Sequence, residues 1–307
     1  MAAPNTKPYH LPPDAVWFIT GCSSGIGHAL AHHIATYHPT HRLIATARNP
    51  STLSTLPSHP NILKLPLDVT SPTSIESSIQ TTLSTFHRID ILVNNAGYTL
   101  VGDTEIAEDD ESRALFDTNF WGMVDTTKRV LGSMREGGSG GVILNVSSLG
   151  GFVGFPGSAF YHASKFAMEG WTEAVAKELP AEWNIHLCNI EPGGVQTNYA
   201  TTSLKMMAKG RHPAYADPTY PTSVLLAYKS NEENRRLWAK PDKIAAAIYR
   251  LVSRGQRIPI RVPLGADARG MILMELEGVR RDLEEMEELS LSVGDAEQLD
   301  SIAFLQK

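Results

Sequence analysis

With 307 residues, 42% of them hydrophobic, the chain can bury the core of one large α/β domain or two small ones. Acids outnumber Lys plus Arg by 33 to 27, for a formal net charge of −6, so no basic field points to nucleic acid or an anionic membrane as a partner. The first residues lack the apolar core of a secretory signal and no segment reaches the roughly 20 apolar residues of a membrane span, so a soluble cytoplasmic protein is expected.

In chain order, residues 1 to 13 carry four prolines and little pattern, and read as an arm outside the fold. Ala15 to Thr20 is a short apolar run ending at glycines, a buried strand. Ala29, Leu30, Ile34 and Ala35 then suit one side of a helix, and strands are expected at Arg42 to Ala47 and Ile62 to Leu67. Ser71-Pro72 has the form of a helix cap followed by a first-turn proline, before Ile75, Ile79, Leu83 and Phe86 at helical spacing. A fourth strand at Ile89 to Val93 precedes a helix over about 110–134, which glycines at 137–141 end. Val142 to Val146 and Ile185 to Ile190 are further strands around a helix from Ala159 to Pro180. Such alternation predicts a doubly wound parallel sheet, with helices on both faces and no linker to split it. From Pro192 to about Pro241 the pattern loosens. A helix at Lys243 to Ser253, a strand at Arg257 to Val262 and a last amphipathic helix follow. The expected organisation is an arm over 1–13, a main domain over 14–263 with a substrate loop at 198–241, and a C-terminal helix and tail over 264–307. That last helix covers the body, and serves as a lid or subunit contact at most. Cys22 and Cys188 are expected as free thiols, and His28 and His32, four apart on a helix, lack a third metal ligand nearby in the sequence.

Two features carry chemistry. Tyr161 and Lys165 fall on one helical face, where an ammonium beside a phenol lowers its pKa from about 10 and makes Tyr161 a candidate general acid/base. Thr20-Gly21-Cys22-Ser23-Ser24-Gly25-Ile26-Gly27 follows the first strand, so a glycine-rich turn opens a helix whose N-terminal N–H groups suit a diphosphate. The second strand ends without an acid and is followed by Arg48, which favours the 2′-phosphate of NADP over the free ribose hydroxyl of NAD.

The Gly-x-x-x-Gly-x-Gly turn, Asn94-Asn95-Ala96-Gly97 after the fourth strand, Ser148, Tyr161-x-x-x-Lys165 and Pro192-Gly193, in that order, resemble the short-chain dehydrogenase/reductase family over about residues 15 to 263. Cys-Ser-Ser in the glycine turn and Tyr-x-Ala-Ser-Lys-Phe-Ala are most similar to its 17β-hydroxysteroid dehydrogenase-like branch. The resemblance implies a Rossmann fold and an NADP-dependent oxidoreductase interconverting a ketone and a secondary alcohol. In that reading Tyr161 transfers the proton, Lys165 lowers its pKa and holds the nicotinamide ribose, Ser148 binds the substrate oxygen, and Asn119 holds a water in the relay. Gly21, Ser23, Ser24, Gly25, Ile26 and Gly27 would cradle the diphosphate. Asp68 and Val69 would meet the adenine, and Asn95, Ala96 and Gly97 the adenosine ribose and diphosphate path. Pro192, Gly193, Val195 and Thr197 would flank the carboxamide. A homodimer or homotetramer is expected on the same ground. Phe152, Phe155, Tyr199, Met206, Met207, Tyr215, Tyr220, Tyr228 and Trp238 are candidates for a wide apolar substrate pocket. Epimerisation or dehydration on the same scaffold, or a nucleotide-binding regulator without catalysis, are the alternatives.

Overall fold

A computed structural model of the protein describes residues 4–197 and 203–306. The chain runs β1 (Val16–Ile19), α1 (Gly25–Tyr37), β2 (Arg42–Ala47), β3 (Ile62–Pro66), α2 (Pro72–Phe86), β4 (Ile91–Asn94), β5 (Thr99–Val101), α3 (Asp109–Phe116), α4 (Gly122–Gly137), β6 (Gly141–Val146), α5 (Ala159–Glu178), β7 (Ile185–Pro192), β8 (Leu204–Met206), α6 (Pro221–Ser230), α7 (Glu232–Arg236), α8 (Pro241–Ser253), β9 (Arg261–Leu264) and α9 (Ala266–Glu285). Seven strands pair in the order β3-β2-β1-β4-β6-β7-β9, every pair parallel, so the doubly wound sheet expected from the alternation is present. Among the described residues, no helix is long and apolar enough to cross a membrane.

The unbroken apolar run of β1 follows from burial on both sides. Trp17 and Ile19 face a cluster containing Leu30 and Ile34 of α1 and Ile248 and Val252 of α8, while Val16 and Phe18 face Ile75 and Ile79 of α2 and Val130 of α4. Each such side chain, taken fully from water, contributes about 1.5–3 kcal/mol. Ser71 caps α2 as expected, its hydroxyl accepting from Ser74 N at 3.3 Å with Pro72 in the first turn. The order reverses between β1 and β4, so the loops after these two strands diverge and leave a crevice at the carboxyl edge of the sheet.

Four expectations are corrected. The N-terminal arm is not outside the fold: Tyr9 is buried, Pro8 bridges Arg257, and Asn5 Nδ2 donates to Leu187 O and Ile258 O at 2.7 and 2.9 Å. An amide that satisfies main-chain groups of two neighbouring segments ties residues whose own pattern is too irregular to signal it. The last strand runs Arg261–Leu264 rather than 257–262, because Ile258 O is already engaged by Asn5 and Pro259 has no N–H for a ladder. The helix expected over 110–134 is interrupted by a π-helical turn, Asp117–Trp121, between α3 and α4. In α9 burial is confined to Ala268 and Ile272, and Leu276, Val279, Leu283 and Met286 stay exposed rather than covering the body.

Candidate active site

The crevice opens into a cleft of about 850 Å³. At its floor, β1 turns through Gly21, whose φ of +71° and a would-be Cβ 2.8 Å from Ala96 Cα require glycine. Gly25 opens α1 at φ +63°, and a Cβ there would reach Thr197 at 3.4 Å. The N-cap residue Ser24 makes no side-chain cap, so the first N–H groups of α1 retain their capacity for an external acceptor. Gly21, Ser23, Ser24, Gly25 and Ile26 all line the cleft. Gly27 does not: it lies against the Asn95 amide and Gly21 O, where a side chain has no room.

Asn95 belongs to the frame of this turn. Its Nδ2 donates to Thr20 O and Gly21 O at 2.9 and 3.0 Å, and Thr20 Oγ1 accepts from the N–H groups of Asn95 and Ala96 at 2.9 and 3.0 Å. Ala96 and Gly97 continue the cleft wall. Beyond β2, exposed Arg48 faces the same space as Asp68 and Val69. Asp68 Oδ1 accepts from Thr70 N and Thr70 Oγ1 at 3.0 and 2.7 Å, bonds that hold its carboxyl below the usual range, with the Arg48 charge adding to them. At the other end Pro192, Gly193, Val195 and Thr197 line the cleft as expected.

Ser148, Tyr161 and Lys165 come together at the middle. The Ser148 hydroxyl meets the Tyr161 phenol, and so does that of Thr99, a residue with no sequence signal of its own. Adjacent Ser147 is buried and turned towards Glu169 instead, which separates the two serines. Lys165 Nζ donates to Val146 O at 2.8 Å and stands 5.8 Å from the centre of the Tyr161 ring. The expected lowering of the phenol pKa by Lys165 is corrected. Burial pushes the Tyr161 phenol up, opposed by the Ser148 and Thr99 hydroxyls, and burial brings Lys165 down to about 8. Desolvation of the phenol disfavours its charged form by more than its neighbours favour it. The phenol is therefore neutral and carries a proton to give.

Asn119 is fully buried in the π-helical turn and does not line the cleft. Its Oδ1 accepts from Tyr98 N at 3.0 Å and its Nδ2 donates to Tyr98 O and Ser164 Oγ at 2.9 and 3.2 Å. The side chain thereby fixes the main chain just before Thr99.

Of the apolar candidates, Phe155, Tyr228 and Trp238 line the cleft. Tyr199 lies outside the described residues. Pairing of β8 with β5 leaves Met206 47% exposed while Met207 packs with Leu100 and Leu115; Tyr215 and Tyr220 are exposed, and Phe152 packs with Leu149, Ala268 and Ile272. Sequence reasoning missed Tyr98, His162, Leu225, Lys229, Asp267 and Met271, all on the cleft wall. They come from segments remote in the chain or read as loop, and only His162 had a signal, its place beside Tyr161.

A model of the short chain dehydrogenase family matches residues 15–208. The chain belongs to the short-chain dehydrogenase family. Oxidoreductase calM of Penicillium decumbens is 46% identical over 292 residues, covering 93% of this chain and 95% of that protein. The 3-ketodihydrosphingosine reductase of Bacteroides thetaiotaomicron is 36% identical over 250 residues, covering 80% and 86%. Among solved structures, a short-chain dehydrogenase from Streptomyces avermitilis superposes with a TM-score of 0.80 at 33% identity, covering 91% of this chain and 99% of that one. The family accounts for the order of the motifs along one cleft, from the glycine turn through Ser148 and Tyr161 to Pro192.

Proposed function

We propose that this short-chain dehydrogenase is an NADP-dependent oxidoreductase that interconverts a ketone and a secondary alcohol on a fairly large apolar substrate. The observation that carries the reading is the meeting of the Ser148 and Tyr161 hydroxyls beside Lys165, in the same cleft as the glycine turn. A dinucleotide fits the residues present, since Gly21 and Gly25 line the cleft at the turn into α1 and the start of that helix offers N–H groups to a diphosphate. When bound, the nicotinamide supplies or accepts the hydride.

The chain's own residues handle the oxygen. Ser148 orients the carbonyl, and neutral Tyr161 gives it the phenolic proton as carbon is reduced. The resulting phenolate is stabilised by the Thr99 hydroxyl and the Lys165 ammonium, while Asn119 acts as a positioning residue through Tyr98. The name of the 3-ketodihydrosphingosine reductase supports a ketone on a long apolar body as the substrate type.

Mixing the protein with NADPH and a panel of aryl and long-chain ketones is expected to consume nicotinamide absorbance at 340 nm, a wavelength set by the dinucleotide and not by the protein. No consumption with any of them sinks the redox reading in favour of a non-redox activity. Arg48 lines the cleft after β2 and is the side chain assigned here to a 2′-phosphate, so Arg48→Ala is expected to raise the KM for NADPH roughly tenfold or more while moving that for NADH little, since a charge-assisted bond is worth about 1.5–3 kcal/mol. Equal loss for both cofactors contradicts the phosphate role.

A further inference from the structure

One wall of the cleft carries a cation that proton and hydride transfer do not use. Lys229, in the last turn of α6, is partly buried, and its Nζ reaches Ser158 Oγ at a marginal 3.4 Å. Burial alone brings its ammonium down to about 8, with no carboxylate among the described residues to hold it up. A desolvated cation without a counter-charge is costly, and such groups in clefts mark ligand sites.

His162 stands beside it. The side chain is 7% exposed, with its ring 5.4 Å from both Tyr161 and Phe155. Nδ1 lies 2.9 Å from Gly150 O, and because a carbonyl only accepts, Nδ1 holds the proton. Nε2 is then left buried with no hydrogen-bond partner among the described residues. Burial lowers the proton affinity of the ring, and the Lys229 charge lowers it further. The other charged groups near this wall are otherwise engaged. Arg235 donates to Lys229 O at 3.1 Å, Asp267 accepts from Gly194 N at 2.7 Å, and Lys165 is tied to Val146 O with Glu169 behind it.

We propose that Lys229, with His162 beside it, is a recognition site for a carboxylate on the substrate, so that the preferred ketone has an apolar body and an acid group near the reacting carbonyl. This rests on reading the cleft as the ketone-binding site. The incoming carboxylate accepts from Nζ of Lys229, and its negative charge draws a proton from solvent onto Nε2 of His162, which then donates to the second oxygen. One oxyanion thus satisfies the uncompensated cation and the unpartnered ring nitrogen together. Phe155 and Tyr228 wall the apolar part.

The test is calorimetric binding of benzoylpropionate and of its methyl ester to the NADPH-loaded protein, in two buffers of different ionisation enthalpy, alongside steady-state reduction of both. The acid is expected to bind roughly tenfold or more tighter than the ester, with net proton uptake. Lys229→Met should remove most of that preference, and Lys229→Arg should retain much of it. An acid that binds no tighter than its ester, or not at all, overturns the proposal, as does a variant that weakens both alike. The two readings fail differently. Esters reduced without any preference for acids remove only the carboxylate site, whereas a preference in binding with no reduction of any ketone removes the redox function and leaves the site standing.

Discussion

Replacing Tyr161 with Phe is expected to lower ketone turnover by roughly 10²–10⁴-fold, the range in which a positioned acid/base works. The phenol meets the Ser148 hydroxyl at the centre of the cleft, and phenylalanine keeps the ring's packing with Tyr98, Phe160 and Leu100. The loss should fall on kcat and kcat/KM together, with NADPH affinity little changed, because the proton moves only during the chemical step. Isothermal binding of NADPH separates this from damage to the fold. Turnover that survives the substitution contradicts the assignment, and loss of cofactor binding with it points to a structural role instead.

A second large effect is expected on stability, below Lys165. Glu169 and Glu191 are buried with their carboxyls facing each other, and Glu169 Oε1 and Glu191 Oε1 have no donor among the described residues unless one acid keeps its proton. Asn189 Nδ2 donates to Glu169 Oε2 at 2.6 Å, and Arg261 spans the group, 3.2 Å from Glu169 and 3.8 Å from Glu191. One guanidinium against two desolvated carboxyls leaves an excess of negative charge. Burial and the facing Glu169 push Glu191 up to about 8. The folded protein therefore holds a proton that an unfolded glutamate, with its usual value near 4.3, has released. Stability falls as pH rises through that window and the loss is complete above about 8. Buried His186, brought down to about 4, acts with the opposite sign only below its unfolded value of about 6.5, and Lys165 and Lys229 only above about 8. Between pH 6.5 and 8 the slope is at most about 1.4 kcal/mol per pH unit, or roughly 2–4 °C in Tm for a domain of this size. Glu191→Gln should flatten it, as read by scanning calorimetry across buffers. An unchanged slope in the variant assigns the titration elsewhere.

Much of this arrangement could be read before any coordinates. Period-two burial explains why β1 appears as a solid apolar run, and glycines that permit close approach mark the nucleotide turn because no other residue fits Gly21. The pairing of Tyr161 with Lys165 follows from helical spacing alone. What escaped has a common physical cause. Thr99, Lys229, Asp267 and Met271 reach the cleft through tertiary packing of elements far apart in the chain, which no local period reports. Asn5 and Tyr9 likewise anchor the N-terminus through two side chains in a stretch that otherwise has the composition of a tail. The direction of the Tyr161 pKa was misjudged because spacing reports a neighbour's charge and not the burial of both partners.

The π-helical turn at Asp117–Trp121 acts as a phase shifter. An inserted residue rotates everything beyond it by about 100° relative to an unbroken helix. Before it, Leu115 faces Leu100 and Met207; after it, Met123 and Val124 face Met168 of α5. One continuous rod can therefore serve two unaligned contacts, with Asn119 delivered inward at the seam to grip Tyr98. Indel tolerance should consequently be asymmetric here: shortening the rod by a single residue would restore a regular helix and unclasp Asn119, while the same deletion in the glycine-rich segment after α4 would leave the cleft geometry alone.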